Sequence, residues 1–207
     1  MNVHPAGRLL LVLTAVTALL TAGCLTVAQK AFEDRSTEDQ VTDTKIAAGI
    51  LSRLSDKDKG LLLDVSADVW EQRVMLTGTL DDPKVRDEVV ELVRADKRIT
   101  QVHNEIQIVT KAEKEKRREQ AKEKKEDSKS GIGQSVNDFW IGAKIEVQLV
   151  GAGGVTSVNY RWQSVRNTAY IIGRARDAAE LSKVLAVCRN TEGVKDVKHF
   201  IQIKPKS

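Results

Sequence analysis

Cysteine is scarce in this chain: Cys24 and Cys188 are the two among its 207 residues. Once Cys24 has another use no intramolecular disulfide can form. Cys188 shares a helical spacing with Leu181, Val184 and Leu185, which predicts a small core hydrophobe and not a reactive thiol. Histidine is equally thin. Beyond the first 23 residues only His103 and His199 remain, neither at a metal-ligand spacing from a cysteine or carboxylate, and each is expected to face outward from a strand. Gly151-Ala152-Gly153-Gly154 lacks the last glycine of a dinucleotide fingerprint and follows a helical pattern instead of a strand. No Ser, His and acid arrangement stands out. The expected set of catalytic residues, metals and cofactors is therefore empty, and the chain is expected not to be an enzyme.

A long hydrophobic run is also missing. The apolar stretch over residues 9–20 is shorter than the about 20 residues needed to span a bilayer. With Arg8 before it and Ala22 and Gly23 after it, the stretch reads as a secretory signal over residues 1–23, leaving Cys24 as the first mature residue. Leu20-Thr21-Ala22-Gly23-Cys24 resembles a lipobox, at which bacterial lipoproteins are cleaved and acylated on cysteine, with Thr21 where a larger aliphatic residue is usual. Cys24 is the expected lipid attachment site. Leu25 after it lacks the aspartate of an inner-membrane retention signal, so the expected location is the outer membrane, facing the periplasm.

What the sequence does hold is a repeat. At an offset of 95 it matches itself without a gap from about Val41 to Ile108: Val41, Asp43, Ile46 and Ile50 fall on Val136, Asp138, Ile141 and Ile145, Gly78 falls on Gly173, and Ile106-Gln107-Ile108 falls on Ile201-Gln202-Ile203. In the first copy, Ile46, Ile50 and Leu54 predict an amphipathic helix. Leu63, Val65, Ala67 and then Val74, Leu76 predict a strand hairpin. Asp82-Pro83 predicts the N-cap of a second helix, with Asp177 and Glu180 as a capping box in the other copy, and Val102, Ile106, Ile108 predict a last strand. A strand-helix-strand passage of this kind joins parallel strands. Gly78 and Gly173, at strand ends, predict a turn, bulge or close backbone approach.

The expected fold class is α+β: two tandem αββαβ domains, each a small three-stranded mixed sheet on two helices. The expected boundaries are a tether over 24–40, a first domain over 41–110, a charged linker over 111–134 and a second domain over 135–204. Residues 111–130 carry nine basic and six acidic side chains without an apolar face, which predicts a solvated, partly helical linker and no nucleic-acid arm.

This pattern resembles the BON domain, and in particular bacterial envelope lipoproteins that carry two. The resemblance rests on Gln40-Val41-Thr42-Asp43-Thr44-Lys45-Ile46, Asn137-Asp138-Phe139-Trp140-Ile141, Val74-Met75-Leu76-Thr77-Gly78 and Gly193-Val194-Lys195-Asp196-Val197. It implies an αββαβ fold, no known catalysis, and attachment to envelope membranes, and one such lipoprotein looks like a binder of anionic phospholipid. The chain departs from the family in its long charged linker and in Glu71-Gln72, weak turn formers for a hairpin.

The two first helices differ. On a helical wheel Ile141, Ile145 and Leu149 share one side, while Val136, Phe139, Trp140, Ala143, Val147 and Val150 gather opposite. Thr44, Lys45 and Ser52 stand in the first copy where Phe139, Trp140 and Val147 stand in the second. Only the second copy is predicted to have an apolar exterior, which points to a membrane or a partner. Charge favours the membrane: residues 24–110 hold 12 basic and 17 acidic side chains (−5), whereas 131–207 hold 11 and 6 (+5). The expected membrane contacts are Val136, Phe139, Trp140, Ala143, Lys144 and Val147, with Arg161 and Arg166 as further cations. The rival expectations are an envelope protein partner, packing of the patch against the other domain or the linker, and a homo-oligomer through the same patch.

Overall fold

A computed structural model describes residues 33–126 and 134–204, except for the side chains of 120–126 and 134–137. The expected leader, Cys24 and most of the tether lie outside the described residues. A compact unit runs from Arg35 to Ser207 and holds both copies.

The first copy comprises α1 (Thr37–Lys57), a one-turn helix α2 (Leu61–Asp64), β1 (Val65–Trp70), β2 (Arg73–Leu80), α3 (Pro83–Arg94) and β3 (Gln101–Ile108). The second repeats it with α5 (Gln134–Gly151), a 3-10 turn (Ser157–Asn159), β4 (Tyr160–Val165), β5 (Thr168–Ala175), α6 (Ala178–Asn190) and β6 (Asp196–Ile203), and α4 (Lys111–Glu126) lies between the copies. In each sheet the middle strand pairs antiparallel with the strand before it and parallel with the strand after the helix. The registers agree at the offset of 95: Val65 faces Gly78 as Tyr160 faces Gly173. Each copy is thus a three-stranded mixed sheet on two helices, as the sequence predicts.

The helix ends follow from their residues. Ser36 accepts a hydrogen bond from the Asp39 N–H, and Asp82 accepts from Lys84 N–H ahead of Pro83. In α6 the Asp177 carboxylate accepts from Glu180 N–H, while the buried Glu180 carboxylate accepts from Arg176 N–H (2.9 Å) and Thr156 N–H (2.7 Å). The predicted capping box therefore reaches one residue further back and also ties down the loop before β4.

Expectations of local structure are corrected at Leu63, at the linker and, below, at His103. Leu63 belongs not to a strand but to α2, where Leu62 and Leu63 are exposed and Leu61 is buried. A side-chain oxygen of Asp58 accepts from Gly60 N–H (2.8 Å) at the start of this turn, and the strand begins only at Val65. The predicted linker is helical over Lys111–Glu126 and partly exposed, as expected, but it is not merely solvated, because it is bound ionically to both copies. Lys114 meets Asp81 (2.5 Å) and Asp64 (3.3 Å), Arg118 meets Asp64 (2.6 Å), Arg117 meets Asp138 (3.1 Å), and Glu113 meets Arg166 (2.9 Å).

The helices cover one face of each sheet, around Ile46, Ile50, Leu54 and Val89 in the first copy and Ile141, Ile145, Leu149 and Val184 in the second. Cys188 lies in that second core, its thiol pushed up to about 12 by burial. The opposite faces meet each other through Trp70, Met75, Val165, Tyr170 and Ile172, with Phe200 packed on them. Polar groups fix their alignment. The Arg73 guanidinium donates to the carbonyls of Phe200 (2.7 Å) and Gly173 (3.1 Å), while Glu71 pairs with Arg174 (2.7 Å) and Glu105 with Lys198 (2.8 Å). In both ion pairs the acid comes from the acidic copy and the base from the basic one. His103 does not face outward as predicted: its ring stacks on Phe200 with centroids 3.9 Å apart, and burial lowers its pKa.

Gly78 and Gly173 are close-approach positions. A Cβ on Gly78 would lie 2.0 Å from the Asp64 carbonyl oxygen, and one on Gly173 would lie 2.2 Å from that of Asn159. Gly78 has φ +126 besides, a conformation that side chains rarely adopt.

Candidate membrane-facing helix

Three anchors set the orientation of α5. Ile141, Ile145 and Leu149, spaced four apart, are buried in the core and fix its inner side. The indole N–H of Trp162 donates to the Gly142 carbonyl (3.1 Å), and Thr191 Oγ1 donates to Gln148 Oε1 (2.8 Å). At the start of the helix, the buried Asp138 accepts from the backbone N–H groups of Arg166 (2.8 Å) and Asn167 (2.9 Å), the two residues of the β4–β5 turn.

That last contact repeats in the first copy. Asp43 on α1 accepts from Glu71 N–H (2.6 Å) and Gln72 N–H (2.8 Å) at the β1–β2 turn. All four turn residues have positive φ, from 50 to 66. Two-residue hairpins of this hand normally need Asn-Gly or a similar pair. Here a carboxylate on the neighbouring helix binds both exposed N–H groups, which explains how Glu71-Gln72 and Arg166-Asn167 can make the turn. An arginine from the preceding segment backs each clasp: Arg35 for Asp43 (2.6 Å) and Arg117 for Asp138 (3.1 Å). The repeat aligns Asp43 with Asp138, but their role was not read from sequence.

With its inner side fixed, α5 turns Phe139 (60% exposed), Trp140 (57%), Val147 (72%) and Val150 (68%) outward. Phe139 and Trp140 meet edge to face, with ring centroids 5.7 Å apart. Ala143 and Lys144 are half-buried beside them, and the Val136 side chain lies outside the described residues. Lys144 pairs with Glu192 (2.6 Å), and its ammonium holds the Glu192 carboxyl below the usual carboxylate range. Arg161 and Arg166 do not join the patch. Arg161 lies over the buried Trp70 ring at 5.2 Å, and Arg166 is engaged by Glu113 and by Gln107 (2.9 Å). Both are drawn to the contact between the copies, which a reading of single elements did not foresee.

Among the described residues no three His, Cys, Asp or Glu side chains come together to hold a metal ion, and no helix is long and apolar enough to cross a membrane. The arrangement offers an exposed apolar and aromatic face with a cation at its edge.

The family model of the BON domain matches residues 42–110 and 137–205. An uncharacterized protein in the gshII 5′ region of Anaplasma centrale is 28% identical over 159 residues, covering 76% of this chain and 94% of that protein. Among solved structures, CdsD, a structural protein of the type III secretion system of Chlamydia trachomatis, aligns over 77% of this chain and 92% of its own with 13% identity and a TM-score of 0.31. The CdsD C-terminal domain aligns over 76% and 96% with 12% identity and a TM-score of 0.30.

Proposed function

Because the chain belongs to the BON-domain family, we propose that it is a non-enzymatic envelope lipoprotein whose second domain engages anionic phospholipid through the outer face of α5 and so supports envelope integrity. BON domains are generally binding modules without catalysis, associated with membranes and envelope assemblies. The observation that carries the reading is the asymmetry between the copies. Two helices in equivalent places pack the same inner residues, yet Phe139, Trp140 and Val147 are exposed where Thr44, Lys45 and Ser52 stand in the first copy.

The outer side of α1 exposes Val41 and Leu51 among polar residues, whereas that of α5 gathers Trp140, Val147 and Val150 with Phe139 into one aromatic and apolar face, and a face of that kind calls for an occupant. A bilayer interface suits this one. Tryptophan favours the headgroup level, and valine and phenylalanine extend below it. The second copy is the basic one, and each lysine or arginine near an anionic leaflet adds about 1 kcal/mol. In this reading acylated Cys24 anchors the chain in the outer membrane, facing the periplasm, and α5 determines which lipids surround it.

The test is co-sedimentation of residues 25–207, which keep the whole compact unit from Arg35, with anionic and zwitterionic vesicles. Binding selective for anionic vesicles and weakened by Trp140→Ala and Lys144→Glu is expected. No binding by the parent chain would overturn the lipid reading and reassign the face to a protein contact. The anchor has its own test: the intact mass of the mature protein carries acyl chains on Cys24, and their absence would refute the lipoprotein assignment.

A further inference from the structure

The cation at the edge of the α5 face is engaged in the structure, and the loop that engages it is held in place. The buried Thr191 places its hydroxyl oxygen 2.8 Å from both the Val187 carbonyl oxygen and Gln148 Oε1. Its own carbonyl accepts from Val194 N–H (3.1 Å), and the Gly193 carbonyl accepts from the Asn167 side chain (2.7 Å). Between these fixed neighbours stands Glu192, 87% exposed, with its carboxylate 2.6 Å from Lys144 Nζ. The loop on either side of Glu192 is held, and its carboxylate reaches Lys144 from there.

The first copy serves as an internal control. There the loop-to-helix tie is kept in another form, as Arg53 meets Asp96 at 3.3 Å in the places of Gln148 and Thr191. The second pair is not kept. Gly49 and Lys97 stand where Lys144 and Glu192 stand in the second copy. Holding the loop against the helix therefore does not require a Lys144–Glu192 pair, and the pair occurs in the copy that has the apolar face.

We propose that Glu192 is a latch on anion recognition at this face: it occupies the Lys144 ammonium in the unbound protein and gives it up when a lipid phosphate takes its place. The inference rests on the lipid reading of α5 and adds its regulation. A carboxylate and a phosphate cannot both hold one ammonium at full strength, so part of the attraction to an anionic surface is spent on displacing Glu192. An exposed ion pair is weak enough to be exchanged in this way. A zwitterionic surface, with little net attraction for the lysine, leaves the latch closed, so the pair sharpens selection for anionic membranes.

The test is a double-mutant cycle on residues 25–207 with vesicles of phosphatidylglycerol in phosphatidylcholine, comparing the parent chain, Glu192→Gln, Lys144→Gln and the double variant. Glu146→Gln, on an exposed position of the same helix, is the charge-matched control. Glu192→Gln is expected to bind about threefold to fivefold more tightly, with that gain gone in the Lys144→Gln background and much smaller for Glu146→Gln. A gain that persists without Lys144, or is equalled by Glu146→Gln, would reduce the effect to net charge and overturn the latch. Binding by the parent with no gain in Glu192→Gln would overturn the latch alone, while no binding by any variant would remove the lipid reading and the latch together.

Discussion

Replacing Asp43 by alanine probes the most specific structural device in the molecule. The carboxylate accepts from two turn N–H groups and from the Arg35 guanidinium, all within 2.8 Å. The substitution takes the carboxylate from a buried arginine that keeps its place over the Trp70 ring at 4.1 Å, and removing one partner of a buried ion pair costs about 3–5 kcal/mol. Two backbone donors lose their acceptor as well, at about 1–3 kcal/mol for each that water does not reach. The losses overlap, so we expect about 3–5 kcal/mol in total, which for a unit of this size lowers Tm by roughly 6–20 °C. Urea and thermal unfolding followed by circular dichroism read it directly. A second substitution isolates the turn from the ion pair. Gln72 sits at φ +62, where glycine relieves about 1–2 kcal/mol of backbone cost, so Gln72→Gly is expected to restore part of the loss in the Asp43→Ala background. A loss below about 0.5 kcal/mol, the size of an ordinary surface change, or no recovery with glycine, would refute the clasp.

Other expectations follow from the same structure. Gly78→Ala places a Cβ 2.0 Å from the Asp64 carbonyl oxygen at φ +126, so it should destabilise the first copy by about 2 kcal/mol or more. An unchanged urea midpoint would contradict the close approach. Asp68 faces Gln163 and Arg161 of the second copy, and burial pushes its carboxyl up to about 6 from 3.8. Because the folded value lies above the unfolded one, protonated Asp68 favours the fold at low pH, and that contribution is lost as pH rises through 6. Asp68→Asn should therefore gain stability relative to the parent between pH 4 and pH 7. A gap between the two urea midpoints that does not change with pH would show that Asp68 is not desolvated there.

The repeat and its periodicities made much of the fold legible. The four-residue spacing of Ile141, Ile145 and Leu149 puts them on one stripe of a helix, and the structure buries all three. The packing of sheet on sheet was not read, though the sequence carries a signal for it. Val74-Met75-Leu76 and Ala169-Tyr170-Ile171-Ile172 are continuous apolar runs without alternation, the mark of strands covered on both faces. Recognising them would also have turned His103 inward. The Asp43 and Asp138 clasps left no periodic trace, because each joins one helix residue to backbone groups 28 and 29 positions away. The ionic role of α4 was hidden for a related reason: its charges look solvated until the acids opposite them, Asp64 and Asp138, are seen to be buried.

Trp140 itself gives the most direct measurement of the central claim. Of the three tryptophans, Trp70 is fully buried and Trp162 is half-buried with its indole N–H bonded to Gly142, whereas Trp140 is 57% exposed. Fluorescence quenching by brominated lipids, which acts only on rings within the bilayer interface, can therefore be assigned to Trp140 by comparison with Trp140→Phe. The account predicts a blue shift and quenching in anionic vesicles, little of either in zwitterionic ones, and their loss in Trp140→Phe. Emission from the parent chain that stays unchanged and unquenched in anionic vesicles would contradict it.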